Sequence, residues 1–261
     1  NEKFKVYGTL RSENYLRYFT NFEENLFTNL DVNFFNNIEK LIIQLKPNLI
    51  INCIGVIKQK NTFNNIVEAI YLNSLFPHKL AKLSQKISSR LLHFSTDCVF
   101  SGKKGNYVEE DTADASDIYG RTKFLGELYY SNTITIRTSI IGHELNSSLS
   151  LIDWFLMQNH SIKGYSNAIF SGLPTVEIAR LIQEFIIPQK DLSGLYHISG
   201  NPISKYSLLK MVSKVYKKDI IVEKDEKIKI DKSLCSTKFR EQSKFVPKSW
   251  DILIKEMKDF R

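Results

Sequence analysis

The chain has 261 residues, 43% of them hydrophobic and 25% charged, with a net charge of +8. Those proportions describe a normal globular protein with enough length for one large α/β unit or two lobes. With no run of 18 apolar residues and nothing like a signal peptide, the reading is a soluble, cytoplasmic protein that does not engage a membrane. Cys53, Cys98 and Cys235 form no Cys-x-x-Cys and the five histidines fall singly, so neither a metal site nor a disulfide framework is expected. The lysines scatter, with a mild excess over 217–232 where apolar residues alternate with them. This reads as a solvated face and not as a nucleic-acid surface, while the positive field suits phosphate-rich ligands.

In chain order, Phe4–Leu10 reads as a strand and Asn29–Val32 as a short second one. Ile38, Leu41, Ile42 and Leu45 recur at helical spacing, and Pro47 ends that helix. Leu49–Ile54 is a near-continuous apolar strand of the kind that parallel sheets bury on both faces. A long helix over Ile66–Ser84, a strand at Leu91–Phe94, a helix over Tyr119–Tyr130 and a strand at Thr133–Thr138 follow. Beyond Ile141 come a helix over Leu149–Gln158, a helix with Val176, Ala179, Ile182 and Ile186 as its buried stripe, and a late strand within Gly194–Gly200. Strand–helix alternation of this kind predicts a doubly wound parallel α/β sheet, residues 1–141, with a smaller lobe, 142–261, interleaved with it. Such sheets bind ligands at the C-terminal ends of their strands.

One stretch carries chemistry. Ser95-Thr96-Asp97-Cys98 sits at the end of an apolar strand, and Tyr119-Gly120-Arg121-Thr122-Lys123 opens a helix shortly after it. Tyr119 and Lys123 share a helix face, with about 5–6 Å between their Cβ atoms. An ammonium there is expected to lower the phenol from its usual value of roughly 10. The Thr96 hydroxyl on the strand lip completes a site that can hold a carbonyl oxygen between two donors. A second Tyr-x-x-x-Lys, Tyr206 and Lys210, lies in the amphipathic stretch Ser204–Lys217 with no strand-end hydroxyl before it and reads as structural.

Together, Ser95-Thr96-Asp97 and Tyr119-Gly120-Arg121-Thr122-Lys123 resemble the extended short-chain dehydrogenase/reductases, most closely their dTDP-4-dehydrorhamnose reductase branch. The resemblance extends through Arg137–Gly142, Ala168–Thr175, Gly194–Gly200 and Asp231–Trp250, essentially the whole chain. It implies a Rossmann-like lobe binding NADP(H), with NAD(H) as the alternative, and NADPH-dependent reduction of a nucleotide-linked 4-keto-6-deoxy sugar in surface-polysaccharide synthesis. Thr96 and Tyr119 then hold the carbonyl oxygen, Tyr119 gives the proton, and Lys123 holds the nicotinamide ribose and supports the phenolate. Asp97, Cys98 and Ile140 are the substrate-side candidates; Asp97 reads equally well as a cap on the turn after the strand. Ser139 is a cofactor candidate at the crossing between lobes.

Further cofactor positions follow from the same resemblance. Arg11, with no carboxylate until Glu13, points to the 2′-phosphate of NADPH, against a plain solvated arginine. Asp31 resembles the adenine-contacting Asp-hydrophobic pair, or else it is a helix cap or turn residue. Asn52 and Gly55 mark a backbone passing close to the cofactor, and Asn73 ties helix to strand. Cys98 stands where related dehydratases have a Glu, so dehydration loses its base. The reductases have an aromatic there, so a different sugar, a UDP-linked acetamido sugar among them, fits as well. A nucleotide-sugar epimerase and a nucleotide-binding regulatory subunit are the alternative functions, and a homodimer is compatible with each. None of the 11 glycines forms the Gly-rich phosphate loop, so about 30 residues carrying the first strand and that loop are expected to be missing from this sequence. The alternative is a protein without a pyrophosphate site.

Overall fold

The computed structural model describes residues 4–20, 22–56 and 65–260. Four parallel strands make its main sheet, in the spatial order Gly194–His197, Thr133–Thr138, Arg90–Thr96 and Leu49–Asn52. The central two are sealed on both faces, with Leu91, Leu92, Ile134 and Ile136 all at 1% exposure or less. The apolar run Leu91–Phe94 thus extends by two residues into Ser95 and Thr96, which puts the chemistry-bearing hydroxyl inside the strand's last pair, opposite Thr138.

Leu49–Asn52 departs from the sequence reading. It ends two residues earlier than Ile54 and is not buried on both faces: Ile51 is 42% exposed. Among the described residues it pairs only with Arg90–Thr96. The first strand is likewise short, Gly8–Thr9, and its parallel partner is Leu26–Phe27 and not Asn29–Val32. Asn29 adopts a left-handed φ of 58°, which breaks a strand and turns the chain instead.

The helix expected over Ile66–Ser84 has a wide turn in its middle. Ile66–Ile70 and Phe76–Lys86 are α-helical, and Tyr71–Leu75 between them is a π turn. Pro77 explains it: with no N–H, it cannot donate to the carbonyl of Asn73 four residues back. That carbonyl lies 1.9 Å from where a Cβ on Gly126 would stand. Only glycine fits there, and the helix Ile118–Leu125 stops at Gly126, short of the expected Tyr130.

In the C-terminal half, Ala168–Phe170 pairs with Ile203–Ser204 and Ile230–Asp231, and Ile162–Tyr165 with Val222–Asp225. The helices there are Leu151–Met157, Thr175–Leu181, Lys205–Tyr216, Thr237–Ser243 and Trp250–Asp259. One apolar cluster joins Leu92, Ile134 and Ile136 of the sheet to Leu208, Val212, Trp250 and Leu253. The last sheet strand, Gly194–His197, also comes from this half. The C-terminal half is therefore built onto the sheet and shares its core. Among the described residues no helix is long and apolar enough to cross a membrane.

Candidate active site

Helix Ile118–Leu125 is short, and its position is fixed by contacts rather than by a strong apolar stripe. Asp117 caps it, its carboxylate accepting from the Gly120 amide at 2.9 Å. Gly120 lets the helix close onto the strand lip, since a Cβ there would stand 2.3 Å from the Cys98 carbonyl oxygen. On the other side, the Asn73 Nδ2 donates to Thr122 Oγ1 at 3.2 Å and the Ser74 hydroxyl donates to the Thr122 carbonyl at 2.7 Å. Tyr119 and Lys123 are thereby held over the ends of strands Arg90–Thr96 and Leu49–Asn52.

Thr96 Oγ1 accepts from the Cys98 amide and donates to Asp97 Oδ1, both at 3.1 Å. Tyr119 is half-buried on the helix that closes on this lip at Gly120. Its acidity is opposite to the sequence expectation: burial, then the Cys98 charge, push it up, and Lys123 is not among the groups acting on it. The reason is geometric. Lys123 is 6% exposed and its Nζ donates to the Phe94 carbonyl at 2.5 Å. Burial lowers that ammonium to about 8, with the Glu127 charge opposing the shift. Tyr119 is consequently held as a neutral phenol with its proton available.

Asp97 is 6% exposed. Burial raises its carboxyl, opposed by the charges of Lys232 and Lys205 and by hydrogen bonds from Thr96 and Cys98. Burial and the Asp97 charge push the Cys98 thiol up to about 11, so at neutral pH it is neither a base nor a nucleophile. Ile140 is 47% exposed on the short strand Ile140–Ile141, and the Ser139 carbonyl accepts from Leu173.

A cavity of about 350 Å³ runs past Thr9, Arg11, Asp31, Val32, Ile54 and Gly55. Arg11 and Asp31, read separately from the sequence, form one ion pair at 3.2 Å on its wall. Gly55 sits between cavity and helix: a Cβ there would meet Asn73 Oδ1 at 3.0 Å and Lys123 Nζ at 3.8 Å. Asn73 also grips Val56 through both amide atoms. The Asn52 side chain turns into the sheet, at the end of the strand whose backbone leads to Gly55. Its Oδ1 accepts from Ile54 N, and its Nδ2 faces His93 Nδ1 at 3.1 Å.

Several groups escaped the sequence reading. Glu127, with a fully buried side chain, accepts from Arg137 Nε and Nη2 at 2.7 Å each, and from the Ser95 hydroxyl at 2.7 Å. Arg137 Nη1 in turn donates to His197 Nε2 at 3.3 Å, which leaves Nδ1 as the nitrogen that donates to the Tyr107 carbonyl. Burial and Arg137 hold His197 neutral, down to about 3. Glu127 stands four residues after Lys123, so helical spacing was the one signal for it. The Tyr206 and Lys210 pair behaves as expected, the ammonium lying over the phenol ring at 5.4 Å on helix Lys205–Tyr216. Among the described residues no cluster of three metal-ligating side chains occurs.

A parallel sheet with a threonine on one strand lip, and a tyrosine and lysine on the helix beside it, is the arrangement of the extended short-chain dehydrogenase/reductases. Within them this chain belongs to the RmlD substrate binding domain family, whose sequence profile matches residues 5–255. It is 27% identical over 172 residues to dTDP-4-dehydrorhamnose reductase of Aggregatibacter actinomycetemcomitans, covering 62% of this chain and 58% of that protein. It is also 27% identical over 168 residues to the spore coat polysaccharide biosynthesis protein SpsK of Bacillus subtilis, with the same coverages. The matches thus span 58% of the length of these curated relatives. In fold it is similar to dTDP-4-dehydrorhamnose reductase of Bacillus anthracis, solved in complex with NADP, at a TM-score of 0.79 and 19% identity over 98% of this chain and 99% of that one.

Proposed function

We propose that this chain uses NADPH to reduce the ketone of a nucleotide-linked 4-keto-6-deoxy sugar, in the cytoplasm, as a step in surface-polysaccharide synthesis. The observation that carries this reading is a half-buried, neutral Tyr119 on the helix that closes at Gly120 onto the strand lip of Thr96, with Lys123 on the same helix reaching toward Gly55 of the cavity wall. The names of the relatives, two of them sugar-nucleotide reductases and one solved with NADP, agree with it.

The residues present fit the cofactor. Arg11 and Asp31 would hold its adenosine end, Gly55 admits close backbone approach, and Lys123 lies next along that path. The Arg11–Asp31 pair is solvent-exposed, 70% and 27% by side chain, so it contributes about 0–1 kcal/mol and exchanges readily for a phosphate. When bound, the cofactor supplies the two-electron reduction of the keto carbon. The protein's part is the oxygen: charge developing there is met by the phenol of Tyr119, which hands over its proton as general acid. Thr96 is the second hydroxyl that meets that oxygen, from the strand lip. Lys123, charged below about pH 8, lies toward Gly55 and would hold the nicotinamide ribose.

Dehydration is disfavoured on this lip. The residue that follows Asp97 is a thiol held protonated to about 11, and it cannot draw a proton from carbon at neutral pH. The testing experiment is an assay of 4-keto nucleotide sugars carrying dTDP, UDP and GDP, with NADPH absorbance and product NMR as readouts. NADPH consumption matched by a new carbinol proton is the expected result. Isomerised sugar with no net NADPH consumption would instead make the protein an epimerase.

A further inference from the structure

Asn52 and His93 stand directly opposite each other on neighbouring strands, and both are buried. The Ile54 amide donates to Asn52 Oδ1 at 3.1 Å. A backbone N–H can only donate, so it fixes which end of the side-chain amide is the oxygen. The other end, Nδ2, then faces His93 Nδ1 at 3.1 Å. An amide nitrogen offers hydrogens and no lone pair, so Nδ1 is the acceptor and the ring proton sits on Nε2. Nε2 is buried and has no hydrogen-bond partner among the described residues. An orphaned buried donor is unfavourable; the ring tolerates it because the other tautomer would set two N–H groups face to face.

The pair guards a turn that matters. Beyond Asn52 the chain runs through Cys53 and Ile54 to Gly55, on the wall of the cavity that Arg11 and Asp31 also line. At Val56 the Asn73 amide accepts from the backbone N–H at 2.8 Å and donates to the carbonyl at 3.2 Å. The turn is therefore tied at both ends by asparagine side chains. Asn73 meets a donor and an acceptor of one residue, so it binds only one way round. Asn52 has no such constraint of its own: turned over, its amide fills the same space, offers Nδ2 to the Ile54 N–H, and the tie is lost. His93 Nδ1 supplies the constraint, because a turned amide would aim its oxygen at the ring's lone pair. A protonated ring would reverse that preference. Burial, then Lys123 and His78 on helices Ile118–Leu125 and Phe76–Lys86, hold the ring neutral, well below its ordinary value.

We propose that His93 is a positioning residue for cofactor binding: by accepting from Asn52 Nδ2 it holds the tie to Ile54, and so sets the backbone of residues 53–55 at the cavity wall before the cofactor arrives. The proposal rests on the reading above that NADPH occupies this cavity. His93 is fully buried in the sheet; it acts only through Asn52, and no proton leaves it during turnover. Setting one wall of a binding site in advance lowers the ordering cost of association and leaves the chemical step alone. The effect therefore belongs to NADPH affinity and not to kcat.

The test reads the ring, the turn and the cofactor separately, on the full chain. Nitrogen-15 NMR of the histidine rings at neutral pH should show His93, assigned by its loss in His93→Leu, as neutral with its proton on Nε2. A proton on Nδ1 overturns the proposal, and this reading needs no variant to be stable beyond the one used for assignment, for which Asn52→Leu, shifting the same signal, substitutes. His93→Leu removes the acceptor at similar volume and should speed amide hydrogen exchange at Ile54 about three- to tenfold, the worth of one such hydrogen bond, while Val56, held by Asn73, stays protected. His93→Asn places an oxygen near the former Nδ1 and should restore slow exchange at Ile54. Unchanged exchange in His93→Leu, or no rescue in His93→Asn, overturns the tie. In the binding arm, the Kd for NADPH, from its fluorescence, should rise about three- to tenfold in His93→Leu and return in His93→Asn, with kcat nearly unchanged. A loss in kcat at unchanged Kd overturns the positioning role and leaves the cofactor reading intact. If the wild type binds no NADPH, that reading falls, and the exchange arm still decides whether His93 holds the turn.

Discussion

The Cys98 carbonyl oxygen lies 2.3 Å from the point where a Cβ on Gly120 would stand. Strand lip and catalytic helix touch backbone to backbone, and this contact holds Tyr119 beside Thr96. Gly120→Ala must push the helix off the lip. Overpacking of this kind costs about 1–3 kcal/mol, so thermal unfolding should occur at lower temperature. Turnover measured well below that transition should fall as well, because Tyr119 moves away from Thr96.

Arg11 sets the cofactor preference. Arg11→Ala removes one charge-assisted contact, worth roughly 1.5–3 kcal/mol, and should erase about a ten- to hundredfold preference for NADPH over NADH. Ratios of kcat/KM for the two cofactors measure it. An unchanged ratio removes Arg11 from the site.

Lys123 gives a signed pH dependence. Its ammonium falls from an ordinary 10.5 to about 8 on burial. Between those values the unfolded chain holds a proton that the folded one has released, so this group makes stability rise with pH across that window. Below about 8 both states are charged and the burial cost is fully present. Denaturant unfolding of Lys123→Met should therefore lack that rise: the wild-type minus variant difference in stability should grow in favour of the wild type from pH 8 to 10.5. Cofactor binding should weaken in the same variant.

Glu127 carries the buried end of the site. Its side chain is fully buried against Arg137, itself 2% exposed. Glu127→Gln leaves that guanidinium without a counter-charge, at a cost of about 3–5 kcal/mol. The exposed pair Lys224–Glu226 is the control: Glu226→Gln should stay within about 0.5 kcal/mol of the parent. Equal losses at the two sites, by chemical denaturation, contradict the assignment.

What the sequence made legible follows from what is local. Leu91–Phe94, Thr133–Thr138 and the Tyr119/Lys123 spacing are short-range patterns, and the structure places them together. Strand ends were misjudged where backbone conformation decides, as at Asn29 with its left-handed φ of 58°. The long helix reads as unbroken because periodicity survives a π turn; Pro77 was visible, but its consequence for the Asn73 carbonyl needs the facing Gly126. Tyr119 acidity was misread because spacing shows that Lys123 is near but not that it bonds Phe94. Glu127, Arg137 and His197 lie 10 and 60 residues apart, and no pattern in the chain joins them.

The central claim is that Tyr119, and not merely any tyrosine with a lysine four residues on, supplies the proton. The chain contains its own control in Tyr206, whose ring packs under Lys210 on helix Lys205–Tyr216. The direct measurement is the turnover number of Tyr119→Phe and Tyr206→Phe, side by side with wild type, on the best ketone substrate with NADPH. General acid catalysis contributes about 10²–10⁴-fold, so Tyr119→Phe should lose that much while Tyr206→Phe stays within a fewfold of wild type. Full turnover in Tyr119→Phe, or equal losses in both variants, would contradict the account.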